Sequence, residues 1–127
     1  MENMIDVFTV IFERLSVEWP VFFEEKDTES FANDYIVFKL PPSSSTKYRD
    51  NLILEVTLWS YLEDRDTVHL EQKWAEVDKK LQHHMHLDDN QLLIFQKTSQ
   101  GMIPDPDKNV RRRELRYLVK REERIDY

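Results

Sequence analysis

A chain of 127 residues is long enough for one hydrophobic core and not for two, so a single domain spanning 1–127 is expected. Hydrophobic residues at 40% and aromatics at 12% exclude a disordered chain, and the lack of cysteine excludes disulfides and thiolate metal sites. The net charge is −7, and the single glycine, Gly101, excludes Walker and dinucleotide fingerprints and argues against phosphate-cradling loops and tight primed-turn hairpins.

The first element is an amphipathic helix over 3–17. Met4, Val7, Phe8, Ile11 and Leu15 recur at spacings of three and four, with Asn3 as the cap. The acidic start and the interruptions by Asp6, Glu13 and Arg14 do not make a secretory signal, and no apolar run approaches the ~20 residues that span a bilayer. The expectation is a soluble intracellular protein. Pro20 ends the helical region, and Trp19 before it is expected to be extended and partly exposed.

A short strand at 21–25 and a polar connection at 26–34 follow. Residues 35–40, "YIVFKL", read as a strand buried on both faces, stopped by Pro41 and Pro42. "PPSSSTK" (41–47) reads as a mobile loop. Over 48–61, Leu52, Leu54, Val56 and Leu58 alternate with Ile53, Glu55, Thr57 and Trp59. That is a long strand with one apolar face and one mixed, half-covered face. Trp59 is expected in the core, as is Trp74.

Thr67, Leu70, Trp74, Val77, Leu81 and Met85 predict the second helix, capped by Asp66 or Thr67. A turn at 87–90 leads to a strand at 91–98, and 99–109 reads as a mobile connection held out of regular structure by its prolines. "VRRRELRYLVKREE" (110–123) alternates Leu115, Tyr117 and Val119 with Glu114, Arg116 and Lys120. This predicts a strand, with helix as the competing reading, and places the arginines on the solvent face of an edge strand. The order predicts an α+β fold: a mainly antiparallel sheet with the N-terminal and central amphipathic helices packed on it.

No catalytic, cofactor-binding or metal site is assigned, and the chain is not expected to be an enzyme. His83, His84 and His86 do not share one helical face, so the bland reading is a helix C-terminus. Asp105, Asp107 and Asn109 lack the glycine and closing glutamate of a calcium loop. Ser43, Ser44 and Ser45 have no glycine elbow around them and no histidine nearby.

Residues 111–124 carry seven basic and three acidic side chains, +4, so the remainder is −11. A body of that charge repels a phosphate backbone. Nucleic-acid binding through Arg111, Arg112 and Arg113 therefore stands as the alternative reading.

The ordered pattern "YIVFKLPPSSSTKYRDNLILEVTLWSY", a charged amphipathic helix, and "PDPDKNVRRRELRYLVKREE" resembles the tail-completion or tail-terminator proteins of long-tailed bacteriophages and prophages, over roughly 4–123. The resemblance implies a structural virion protein at the head-proximal end of the tail, made in the host cytoplasm. Such a protein forms a homo-oligomeric ring, commonly a hexamer. It stops growth of the tail tube, contacts the major tail tube protein and the head-completion proteins, and meets DNA only as it passes through the channel. Under that reading the candidate interface residues are Ser43, Ser44, Ser45, Lys47, Asp105, Asp107, Arg111, Arg112 and Arg113. No cofactor and no membrane partner is implied.

Overall fold

The computed structural model describes residues 2–15, 19–24, 34–40, 49–61, 67–89, 91–104 and 109–123. Helix α1 (Glu2–Leu15) is followed by β1 (Val21–Phe23), β2 (Asp34–Lys39) and β3 (Arg49–Tyr61). Helix α2 (Val68–Leu81), β4 (Met85–Leu87), β5 (Gln91–Ile103) and β6 (Val110–Glu123) complete the order. The six strands form one sheet, ordered β1-β2-β3-β6-β5-β4. Every neighbouring pair is antiparallel except β1 and β2, which run parallel. This is the expected α+β fold.

Both helices pack on one face of the sheet. Val7, Val10, Ile11 and Leu15 of α1 and Leu70, Val77 and Leu81 of α2 are buried, as helical spacing requires of one face. They meet alternate strand residues: Ile36 and Phe38, Leu54, Val56 and Leu58, Leu93 and Phe95, Leu115, Tyr117 and Val119. Tyr117, Phe38 and Phe95 are the largest fully buried side chains, and burying one is worth roughly 1.5–3 kcal/mol.

The second helix ends earlier than its apolar spacing suggests. The Gln82 backbone N–H donates to Asp78 O, but His83 takes φ 62° and the chain leaves the helix there. Met85, placed on the helix by the three-four repeat, instead opens a short strand that the sequence reading missed. The connection read at 99–109 is also shorter. Residues 99–103 are paired to β6 as part of β5, past a bulge between Lys97 and Ser99, and the Thr98 hydroxyl donates to Arg116 O there. The strand stops at Ile103, just before Pro104. β6 is a strand as predicted, but a central one, paired on both sides and not at an edge.

Candidate functional site

Several polar clusters invite a chemical reading, and each is a clamp between elements. The Ser60 hydroxyl donates to Asp34 Oδ1 at 2.6 Å, and His69 Nε2 lies 2.6 Å from the same Ser60 Oγ. A hydroxyl has one proton, so His69 must donate to Oγ rather than accept from it. Asp34 sits 3.5 Å from Nε2, where an orienting carboxylate of a nucleophilic triad would be on Nδ1. Ser60 is also buried. The trio joins β2, β3 and α2 and does not activate a nucleophile.

Asp78 of α2 accepts from Tyr117 Oη at 2.6 Å and from Lys97 Nζ at 2.9 Å, which ties the helix to β6 and β5. Burial, then the bond to Asp78, pushes the Tyr117 phenol far above its ordinary value, which unsuits it for proton transfer near neutrality.

The three imidazoles at the end of α2 do not converge. His86 Nε2 is 2.9 Å from Asp88 Oδ2, while the His84 ring lies against Phe95 with centroids 5.5 Å apart. Among the described residues no three histidine or acidic side chains are grouped to hold a metal ion.

The arginine run is held within the chain. Arg113 is buried and donates from Nε to Glu71 Oε1 of α2 at 2.7 Å, with its guanidinium 5.9 Å from the Trp74 ring centre. Arg112 lies over Trp59 at 4.5 Å and donates to Pro104 O at 2.9 Å, so it ties the start of β6 to the end of β5. Arg111 donates to Val110 O. Arg116 bridges Glu114 and Glu55 across the β3–β6 pair, and the buried Arg121 donates to Gln91 Oε1. A phosphate backbone would have to compete with these contacts, which weighs against the nucleic-acid reading. Ser43, Ser44, Ser45, Lys47, Asp105 and Asp107 lie outside the described residues.

What remains unaccounted for is the second face of the sheet. Among the described residues, both helices are on the other side. Pairing places Tyr35, Trp59, Arg112 and Ile103 in one row across β2, β3, β6 and β5. The Tyr35 and Trp59 rings stack at 5.7 Å and 10°. The next row, Val37, Thr57, Glu114 and Gly101, is low except at Glu114. Beyond it stand Lys39, Glu55 and Arg116. A trough of about 390 Å³ runs between the tall rows. Trp59, expected in the core, is therefore a side chain of this open face. Further along it Ile53 is exposed, with Leu118, Ile94 and Leu92 half-buried.

Two further apolar features lie at opposite edges of the sheet. At the β1 edge, Thr9 and Phe12 of α1 with Phe23 and Phe38 enclose a cleft of about 330 Å³, and Phe12 is 47% exposed. At the β4 edge, Met85 and Leu87, paired with Ile94 and Leu92 and so at the margin of the open face, are 62% and 63% exposed. Sequence reasoning missed all of these. The one available signal was the apolar–polar–apolar alternation of Met85, His86 and Leu87, which the helical spacing of Met85 obscured. The chain matches no protein-family model, and no curated protein is significantly similar to it.

Proposed function

We propose that this chain is a non-enzymatic assembly protein of the tail-completion kind, which closes into a ring that caps the phage tail tube and joins it to the head. The observation that carries the reading is the pair of unlike apolar features at opposite edges of one sheet. A ring needs a heterologous contact, in which two different patches on each copy fit one another. The exposed Met85 and Leu87 at the β4 edge are the projecting patch, and the cleft between α1 and β1 is the receiving one. Joining β4 edge to β1 edge from copy to copy repeats one rotation, which closes when the rotation divides a full turn.

The α+β order of elements agrees with the resemblance, and the engagement of the arginines by in-chain partners favours assembly over nucleic-acid binding. In this reading the tube protein and the head-completion proteins meet the two ends of the ring, and DNA passes through its channel. Light scattering with negative-stain microscopy, on the protein alone and with purified tail tubes, is the test. Rings, or caps at tube ends, are expected. A protein that stays monomeric and never caps tubes overturns the reading.

A further inference from the structure

Beyond the contact at the α1–β1 cleft, we propose that the open face of the sheet, whose β4 margin carries Met85 and Leu87, is a self-association surface on which a second copy docks face to face, forming a two-fold dimer. Three observations carry this. The first is composition. A sheet face left to water carries polar residues at its outward positions, giving clean alternation along each strand. Here Tyr35, Ile53, Trp59, Ile94 and Leu118 occupy such positions, Ile53 exposed and the others half-buried, and no helix among the described residues packs over them.

The second observation is charge. By register, four acidic positions on this side, Glu24, Glu55, Glu114 and Glu122, stand among five basic ones, Lys39, Arg49, Arg112, Arg116 and Lys120. The face is thus close to balanced, with one net positive charge, in a chain of net charge −7. Two copies repel over most of their surfaces and approach here at least cost. Near-balance also disfavours a polyanion or a strongly basic partner. A copy of the same face, with both signs interspersed, offers charged side chains their opposites.

The third observation is area. Strands spaced ~4.8 Å apart, rising ~3.3 Å per residue, give this sheet a face of roughly 800 Å². A stable specific interface buries about 800 Å² on each partner. Aligned sheets pack about 10 Å apart with interdigitated side chains, and the trough between the Trp59 row and the Glu55 row is the relief such packing needs.

The chain has no cysteine, so single-cysteine variants report proximity cleanly. Thr57→Cys, on the trough floor, and Gln72→Cys, exposed on α2, are each made in a Phe12→Glu background that removes the edge contact. Each is treated with a short bismaleimide. In a two-fold contact a residue near the axis faces its own mate, so Thr57→Cys is expected to give covalent dimer and Gln72→Cys none. Sedimentation of the Phe12→Glu protein is expected to show dimers, and adding Ile53→Lys is expected to raise the dimer dissociation constant at least tenfold, toward monomer, with the thermal melt unchanged. A Phe12→Glu protein that sediments as monomer at every soluble concentration overturns the proposal. So does a dimer that ignores Ile53→Lys, or equal cross-linking at the two cysteines. Rings lost in Phe12→Glu with no change in the face-to-face dimer leave both readings standing, and dimers without rings in the unsubstituted protein sink only the ring.

Discussion

Glycine is absent where the backbone asks for it and present where it does not. Glu24 and His83 take φ 67° and 62°, the left-handed region that costs an L side chain roughly 1–2 kcal/mol, while Gly101 lies in β5 without a positive φ. His83→Gly removes that strain and gives back part of it as unfolded-chain entropy. A gain of about 0.5 kcal/mol in urea unfolding is expected. A Cβ at Gly101 would meet nothing within 4 Å, so Gly101→Ala is expected to stabilise by about 0.5–1 kcal/mol. His84 makes a second case. Burial, then Arg14 and His86, lower its pKa below the ordinary 6.5, and its buried Nε2 has no hydrogen-bond partner among the described residues. The unfolded chain therefore takes up a proton near pH 6.5 that the folded chain refuses until lower pH. Stability from this group is full above 6.5 and lost as pH falls through the folded value. Thermal melts from pH 7.5 to 5 check this, with His84→Phe expected to flatten the acid slope.

At the scale of elements, α2 is joined to the sheet by polar clamps as well as by its apolar stripe. Asp78 reaches Tyr117 and Lys97, Glu71 reaches Arg113, and His69 reaches Ser60. The Arg14 guanidinium donates to Lys80 O and so caps one of the last carbonyls of α2 from α1, at the end where the helix dipole favours a cation. Tyr117→Phe keeps the ring and deletes one donor to a carboxylate that retains Lys97. The expected loss is about 1–2 kcal/mol in chemical denaturation, with unchanged secondary structure by circular dichroism. The same clamps explain the arginine run at the start of β6. A central strand bounded by two others and lying under a helix has no free solvent face on that side, so Arg113 must be paired to be buried.

Among the described residues the sheet has one face covered by helices and one face without them, with an apolar projection at one edge and an apolar cleft at the other. A heterologous edge contact makes a distinctive prediction. Leu87→Glu spoils the projection and leaves the cleft, while Phe12→Glu does the reverse. Both residues are exposed, so both variants are expected to keep the wild-type melt. Neither alone forms rings, but an equimolar mixture joins the cleft of one to the projection of the other and stops at a single edge contact. Light scattering of the mixture reads this directly, as a rise in mass over either variant that does not continue to a ring. An unchanged mass in the mixture counts against the edge pairing. No helix among the described residues is long and apolar enough to cross a membrane.

Periodicity alone determined most of the elements, because each helix and long strand buries one side and the burial writes its repeat into the chain. The three-four spacing of Val7, Ile11 and Leu15 and the alternation of Leu115, Tyr117 and Val119 both correspond to buried faces. Where a residue's spacing is compatible with two elements the pattern has no preference, so Met85 reads as helix until His83 turns the backbone. Strand order is likewise a property of pairing between distant segments. The sequence reading had β6 at an edge because its charges suit one, and only the sheet puts it between β3 and β5, where Arg113 and Arg121 are buried. The candidate surfaces were the least legible part. An apolar residue carries no mark of whether something covers it. Trp59, Ile53, Leu87 and Phe12 became a face, a projection and a cleft only once the helices had taken the other side of the sheet.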